Sequence, residues 1–334
     1  MIMQIVSDIQ HIVRQAQDKA YRSINQAMVQ AYWRVGRRIV EEEQQGISKA
    51  AYGEEVLKTL SMALQQEFGK GFSVDNLENM RRFYLAYPNS ETLSRKSEPP
   101  DFRLSWSHYQ KLLRIENLEE RAFYEIEAAQ NNWSLRELKR QYDSALYLRL
   151  ALSTDKAGIK QLGQDGQVME SPQDAVKDPY VLEFLHLTEH YRYSESHLEN
   201  ALIDKLEHFL LELGKGFTFV GRQKRISFDE RHFYIDLVFY NRLLRCFVLV
   251  DLKIGDLKHQ DLGQMQMYVN YFDRFIKLDE ENKTIGIVLC QDKSETLVEI
   301  TLPEDNQQIF ASRYQTVLPS KEDLQRLLAQ HLDK

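Results

Sequence analysis

The apolar run Cys246-Phe-Val-Leu-Val250 ends abruptly in Asp251-Leu-Lys253. Five apolar residues in succession, without polar alternation, fit a central strand covered on both faces. Charges at the end of such a strand are costly to desolvate unless something uses them. Strand alternation sets Asp251 and Lys253 on one face and Leu252 on the other. Another carboxylate, Asp236, stands fifteen residues earlier in the strand-like Tyr234-Ile-Asp-Leu-Val-Phe-Tyr240. All three charged groups are expected to project into one space, which suits a divalent metal with a phosphate.

The neighbouring sequence supplies a sheet for this strand. Strand patterns run from Phe217 to Phe228, Phe233 to Tyr240 and Cys246 to Lys253, with short turns at Asp229-Glu-Arg231 and Asn241-Arg242. That predicts an antiparallel meander. A helix is expected before it, from Tyr193 to Leu213, stopped by Gly214 and Gly216. After it come a helix from about Gln260 to Phe272, strands Thr284 to Cys290 and Phe310 to Gln315, and a closing helix from Lys321 to Leu332. The fold class is an α/β C-terminal domain, a mixed sheet flanked by helices.

Residues up to 152 read as a helical N-terminal domain. From Ile2 to Ile39 apolar residues recur every three or four positions, an amphipathic helix of unusual length. Gly36 and Gly46 are expected to weaken or end it. Its step lies near the 3.5 residues of a coiled coil, so a homo-oligomer through the N-terminal helices stands beside the plainer reading of a bundle helix. Helices from Tyr52 to Phe68 and Ser73 to Tyr87 flank the Gly69-Lys-Gly71 turn, with Ser73 as N-cap. Asn76, Asn79, Arg81 and Arg82 on the second are compatible with a DNA-reading helix-turn-helix, and equally with any helical hairpin. A loop with Pro88, Pro99 and Pro100 precedes another helix, where Trp106 and His108 read as core and cap residues. Residues 153–178, rich in Gly, Asp and Gln, read as a linker before the 179–334 domain.

At 334 residues two domains are the prior. No apolar stretch approaches the roughly 20 residues that span a bilayer, so no membrane role is expected. No signal-peptide pattern stands at the N-terminus, and Cys246 and Cys290 read as buried thiols; a cytoplasmic protein is expected. The net charge of −7 counts against nucleic-acid binding by the whole surface. Between Lys215 and Gln260, however, nine Lys and Arg stand against five Asp and Glu. Arg222, Lys224, Arg225 and Lys258 are the candidate phosphate contacts; for Arg222, and for Gln223 beside it, strand-end solvation is the equal alternative to phosphate contact.

One or two Mg²⁺ ions, or Mn²⁺ in their place, would ease phosphodiester hydrolysis by neutralising oxygens and lowering the pKa of a bound water. Asp236 and Asp251 supply carboxylates, the ligands Mg²⁺ prefers, and the Leu252 carbonyl a third oxygen. Lys253 would orient the attacking water or stabilise phosphoryl charge, its pKa lowered by the nearby cation.

This order of residues resembles the PD-(D/E)xK nuclease superfamily. Asp236 matches the first acidic ligand, with Ile235 where the name gives Pro, and Asp251-Leu-Lys253 matches the (D/E)xK motif. Gln264-Met-Gln-Met-Tyr268 fits the QxxxY motif of exonuclease-like members, which implies that Gln264 and Tyr268 meet the site from the next helix. Glu199 matches the acidic residue many members place on the preceding helix to complete the metal shell; its rival role is a capping box with Ser196. Leu104-Ser-Trp-Ser-His-Tyr109, Phe209-Leu-Leu-Glu-Leu-Gly-Lys-Gly-Phe217, Val220-Gly-Arg-Gln223 and Asp251-Leu-Lys-Ile-Gly255 carry the likeness over nearly the whole chain to the YhcG-type bacterial nucleases. That resemblance implies a restriction-endonuclease-like fold and Mg²⁺-dependent cleavage of DNA. A catalytically silent nucleic-acid binder or interaction protein on the same fold is the alternative.

Overall fold

The N-terminal amphipathic pattern forms one helix of 44 residues, α1 (Ile2–Gln45), in the computed structural model. The structure describes residues 2–45, 50–88, 99–152, 156–187, 193–318 and 320–332. They belong to two compact units, Met1–Lys139 and Arg140–Lys334.

In the first unit α1 continues through Gly36, contrary to the sequence expectation. The reason is packing: a Cβ at Gly36 would lie 2.0 Å from the Met80 carbonyl oxygen. Gly36 therefore lets α1 cross closely over α3 (Val74–Ala86), a gain that outweighs its poor helix propensity. Gly46 lies outside the described residues. Val29, Trp33, Ile39 and Val40 of α1 are buried, whereas Ile5, Ile9, Ile12, Val13 and Ile24 on its first half are exposed.

Helix α2 (Ala50–Phe68) and a short turn lead to α3, whose N-cap Ser73 accepts the Asn76 N–H as expected. The polar side of α3 is largely committed internally. Asn76 Oδ1 accepts from Trp106 Nε1 (2.8 Å) and Gln110 Nε2 (2.9 Å), Arg81 pairs with Glu43, and Arg82 with Glu78. Helices α4 (Trp106–Leu112) and α5 (Leu118–Gln130) follow. His108 is buried between Ser105 Oγ and the Trp133 carbonyl, and burial lowers its pKa, a core residue as its sequence context suggested.

By packing, the two compact units divide between Lys139 and Arg140, within α6 (Leu135–Asp143). Helix α7 (Leu146–Leu152) belongs with the second unit because its Arg149, fully buried, meets Glu212 at 2.6 Å. The stretch read as a linker is also folded: α8 (Lys156–Asp165) is followed by a 3₁₀ turn, Pro172–Ala175. There Asp174 Oδ2 accepts the Ser171 N–H and hydroxyl, so polar residues are satisfied locally. Residues 153–155 lie outside the described residues.

Six strands form one mixed sheet in the order β1-β6-β5-β4-β3-β2. They are β1 (Tyr180–Val181), β2 (Phe217–Phe228), β3 (Arg231–Asn241), β4 (Cys246–Leu252), β5 (Ile285–Cys290) and β6 (Ile309–Gln315). The expected meander is present: β2, β3 and β4 are antiparallel, while β4, β5, β6 and β1 run parallel. Every residue of β5 is buried, as a doubly covered parallel strand requires. Helices α9 (Glu195–Asp204) and α10 (Leu206–Leu213) cover one face with Leu237, Val250 and Leu289. Helices α11 (His259–Phe275) and α12 (Glu295–Thr301) cover the other with Val238, Leu249 and Val288. Helix α13 (Lys321–Leu332) ends the described chain. The single helix expected over 193–213 breaks at Lys205, whose φ of −118° and ψ of 30° are not helical. Cys246 and Cys290 are free, buried and in the cores of opposite faces, and burial pushes both thiols up to about 12. No helix among the described residues is long and apolar enough to cross a membrane.

Candidate active site

Pairing between β3 and β4 stops at Leu237–Val250 although both strands continue. The same register, carried one step further, sets Asp236 opposite Asp251. Across β2, pairs Arg222–Leu237 and Lys224–Ile235 set Gln223 opposite Asp236. Three polar side chains therefore stand in a row where the sheet opens.

Splaying leaves the Leu252 N–H without a strand partner, and Asp236 Oδ2 accepts it at 2.8 Å. On the other side the Lys253 N–H keeps its bond to the Leu289 carbonyl. Asp236 Oδ1 accepts from Gln223 Nε2 (3.0 Å), which also donates to Glu199 Oε2 (2.6 Å). Asp251 is 2% exposed, and its Oδ2 lies 2.8 Å from Lys253 Nζ. That oxygen has the ion pair but no aligned hydrogen bond.

Burial pushes Asp251 up to about 7; Asp236 adds to the rise and Lys253 opposes it. For Lys253, burial is the largest influence and acts downward, but Asp251, Glu195 and Asp236 together outweigh it and the pKa is raised. The lowering expected from a neighbouring cation is thus opposed by the protein's own charges. Glu199 is raised chiefly by burial, with Gln223 opposing and Asp236 adding.

Ser194 is the N-cap of α9, accepting the His197 N–H, so the Ser196–Glu199 capping box does not form. Glu199 turns instead to Gln223. Tyr268 is fully buried; its hydroxyl donates to the Tyr234 carbonyl (2.8 Å) and accepts from Gln264 Nε2. Both α11 residues thus brace β3 two residues before Asp236. Leu252 has its side chain in the core and donates its N–H to Asp236.

The four candidate phosphate contacts lie on the surface. Arg222 Nη1 donates to Asn200 Oδ1 of α9 (2.9 Å), and Arg225 Nε to Ser227 Oγ (3.1 Å). Lys224 is on β2, and Lys258 precedes α11. From the sequence, Gln223 reads as a phosphate contact or a solvated strand end, not a bridge between carboxylates. Sequence reasoning also missed Glu195, one helical turn before Glu199, whose charge raises both Asp251 and Lys253. An i, i+4 acidic pair was the available signal for Glu195; the backbone geometry of Gln223 leaves none in the sequence.

Among the described residues, no three acidic, histidine or cysteine side chains group closely enough to hold a metal by themselves. The Gln223 amide bridges Glu199 and Asp236. A buried carboxylate beside a second carboxylate nevertheless fits a hard cation.

A family model described as the YhcG PDDEXK nuclease domain matches residues 173–329, and one described as the DUF1016 N-terminal domain matches residues 8–149. The mixed sheet with two acids and a lysine at its open end is thus a nuclease domain of the PDDEXK class. The Escherichia coli (strain K12) protein named "Putative nuclease YhcG" is 40% identical over 350 residues, 96% of this chain and 92% of that protein. The chain belongs to the YhcG family of PDDEXK nucleases. A repair endonuclease from Pyrococcus abyssi overlaps 39% of this chain and 50% of its own (20% identity, TM-score 0.27). A complex of EndoMS with dsDNA2 overlaps 40% and 51% (14% identity, TM-score 0.27). The chain spans about half the length of these two solved structures.

Proposed function

We propose that the protein hydrolyses DNA phosphodiester bonds with Mg²⁺, for which Mn²⁺ can substitute. The observation carrying this reading is the Asp251 carboxylate, buried and ion-paired to Lys253, set by the strand register opposite the Asp236 carboxylate. Two neighbouring carboxylates raise one another's proton affinity, and a hard cation between them relieves that repulsion. Asp236, Asp251 and the Leu252 carbonyl hold the ion, with Glu199 completing its shell. An ion held there would supply charge neutralisation of phosphate oxygens and a lowered pKa for a bound water. Lys253, kept charged by Asp251, orients the attacking water or stabilises charge on the phosphoryl group. Gln264 and Tyr268 hold β3, and so Asp236, in place. Arg222, Lys224, Arg225 and Lys258 meet the DNA backbone as its phosphates approach.

The test is cleavage of linear, circular and branched DNA by purified protein in Mg²⁺, Mn²⁺ and EDTA. Cleavage in either metal is expected, absent in EDTA and lost in Asp236→Ala and Lys253→Ala while both variants stay folded. Full cleavage by Asp236→Ala removes the proposed site. Salt-dependent DNA binding without cleavage in any metal would make the protein a catalytically silent binder. The exposed apolar residues of α1 support a second role, self-association of a cytoplasmic protein through its N-terminal helices.

A further inference from the structure

Opposite Asp236, strand β2 departs from regularity twice within a few residues. Its pairing with β3 slips between Phe219 and Gly221, and Gln223 adopts a left-handed backbone with φ of 47°. Residues other than glycine, asparagine and aspartate rarely occupy that region, so neighbouring structure must offset the cost. Bulges of this kind re-aim a side chain. Here the side chain re-aimed is the Gln223 amide.

Its Nε2 lies 2.6 Å from Glu199 Oε2 and 3.0 Å from Asp236 Oδ1. One amide nitrogen carries two hydrogens, and two carboxylates accept them. Arg222, the residue before, reaches Asn200, the residue after Glu199. Two successive residues of β2 are thus tied to two successive residues of α9. Glu199 and Asp236 repel one another, as the upward push of Asp236 on Glu199 records. A neutral double donor between them holds both without adding a charge.

We propose that Gln223 is a positioning residue that sets the spacing and orientation of the Glu199 and Asp236 carboxylates toward a single hard cation. This rests on the function proposed above and adds to it a residue that never touches the phosphate. Its length is decisive. Asparagine suits a left-handed backbone better than glutamine does, but is one methylene too short to reach both carboxylates. Glycine suits the backbone equally and has no amide.

The experiment compares full-length wild type, Gln223→Asn, Gln223→Gly and Asp236→Ala by Mn²⁺ titration calorimetry and by thermal unfolding in EDTA. Both Gln223 variants are expected to bind Mn²⁺ about 10–100-fold more weakly, the usual effect of losing a group that orients a metal ligand. Their melting temperatures in EDTA should stay near wild type, because the backbone is relieved as the bridge is lost. Mn²⁺ affinity within about twofold of wild type in folded Gln223→Asn or Gln223→Gly, a change far below the usual loss, overturns the inference. Should Asp236→Ala lose Mn²⁺ while both Gln223 variants keep it, the role of Gln223 alone falls. Should Asp236→Ala bind Mn²⁺ like wild type, the proposed site falls and this inference with it.

Discussion

Asp251 and Glu212 are both buried carboxylates, and their surroundings move them in opposite directions. Burial and Asp236 push Asp251 up to about 7 against the pull of Lys253, a condition a cation would reverse. For Glu212 burial also acts upward, but Arg149, Lys177 and Arg140 outweigh it and hold the group at about 2. The first carboxylate keeps a net repulsion from its neighbour; the second is surrounded by cations. Because the folded value of Glu212 lies below its ordinary 4.5, its contribution to stability is complete above that pH and is lost as pH falls toward about 2. Acid unfolding followed by circular dichroism should show this loss in wild type and not in Glu212→Gln. At neutral pH Glu212→Gln should be less stable by about 3–5 kcal/mol, since buried Arg149 loses its carboxylate. Tyr268→Phe tests a bracing role against a chemical one. Losing the hydroxyl costs about 1 kcal/mol of hydrogen bonding, so cleavage should fall only several-fold. A loss beyond about 10²-fold would place the hydroxyl in proton transfer instead.

Individual elements show where local preference yields to packing. An isolated α1 would favour Ala at position 36 by about 1 kcal/mol. Against α3, however, the added Cβ meets the Met80 carbonyl at 2.0 Å, and overpacking of that kind costs about 1–3 kcal/mol or more. Gly36→Ala is therefore expected to lower the melting temperature despite its better propensity, and a rise would show that the two helices can separate freely. The first half of α1 poses the opposite case, an apolar stripe with Ile12 and Ile24 each 63% exposed. If α1 mediates self-association, Ile9→Glu with Ile12→Glu should shift the protein to monomer in light scattering and leave DNA cleavage per chain unchanged. An unaltered mass would remove α1 from any assembly. In the second unit the apolar pattern of 193–213 is continuous, yet the helix breaks at Lys205 and becomes α9 and α10. Side-chain periodicity reports which face is buried; it does not report where the axis must turn to follow a sheet.

At the scale of the whole chain, the division between units decides which fragments can stand alone. Arg140 and Arg149 both pair with Glu212, so a fragment starting at residue 156 leaves that carboxylate buried without them. A fragment starting at Ser134 keeps both arginines and the cap formed by Ser134 and Glu137. The longer fragment is expected to be soluble with a cooperative thermal transition, and the shorter one to aggregate or melt well below it. Equal melting temperatures would show that the buried ion cluster contributes nothing. Composition placed residues 153–178 outside the domain because Gly, Asp and Gln resemble a linker. The structure uses them in α8 and in a capped turn, which composition alone cannot distinguish from an exposed segment.

The meander, the buried β4 and β5, and the convergence of Asp236, Asp251 and Lys253 were legible in the chain itself. Strand periodicity, hydrophobic runs and turn residues are local, and two short turns fix which strands pair and in what register. The place of Gln223, the early division at Arg140 and the passage of α1 through Gly36 were decided only by tertiary structure. Each depends on a contact between residues distant in sequence: Gln223 with Glu199, Arg149 with Glu212, Gly36 with Met80. Such contacts override local preference because burial of a charge, or collision of two backbones, outweighs the ~1 kcal/mol or less that propensity offers.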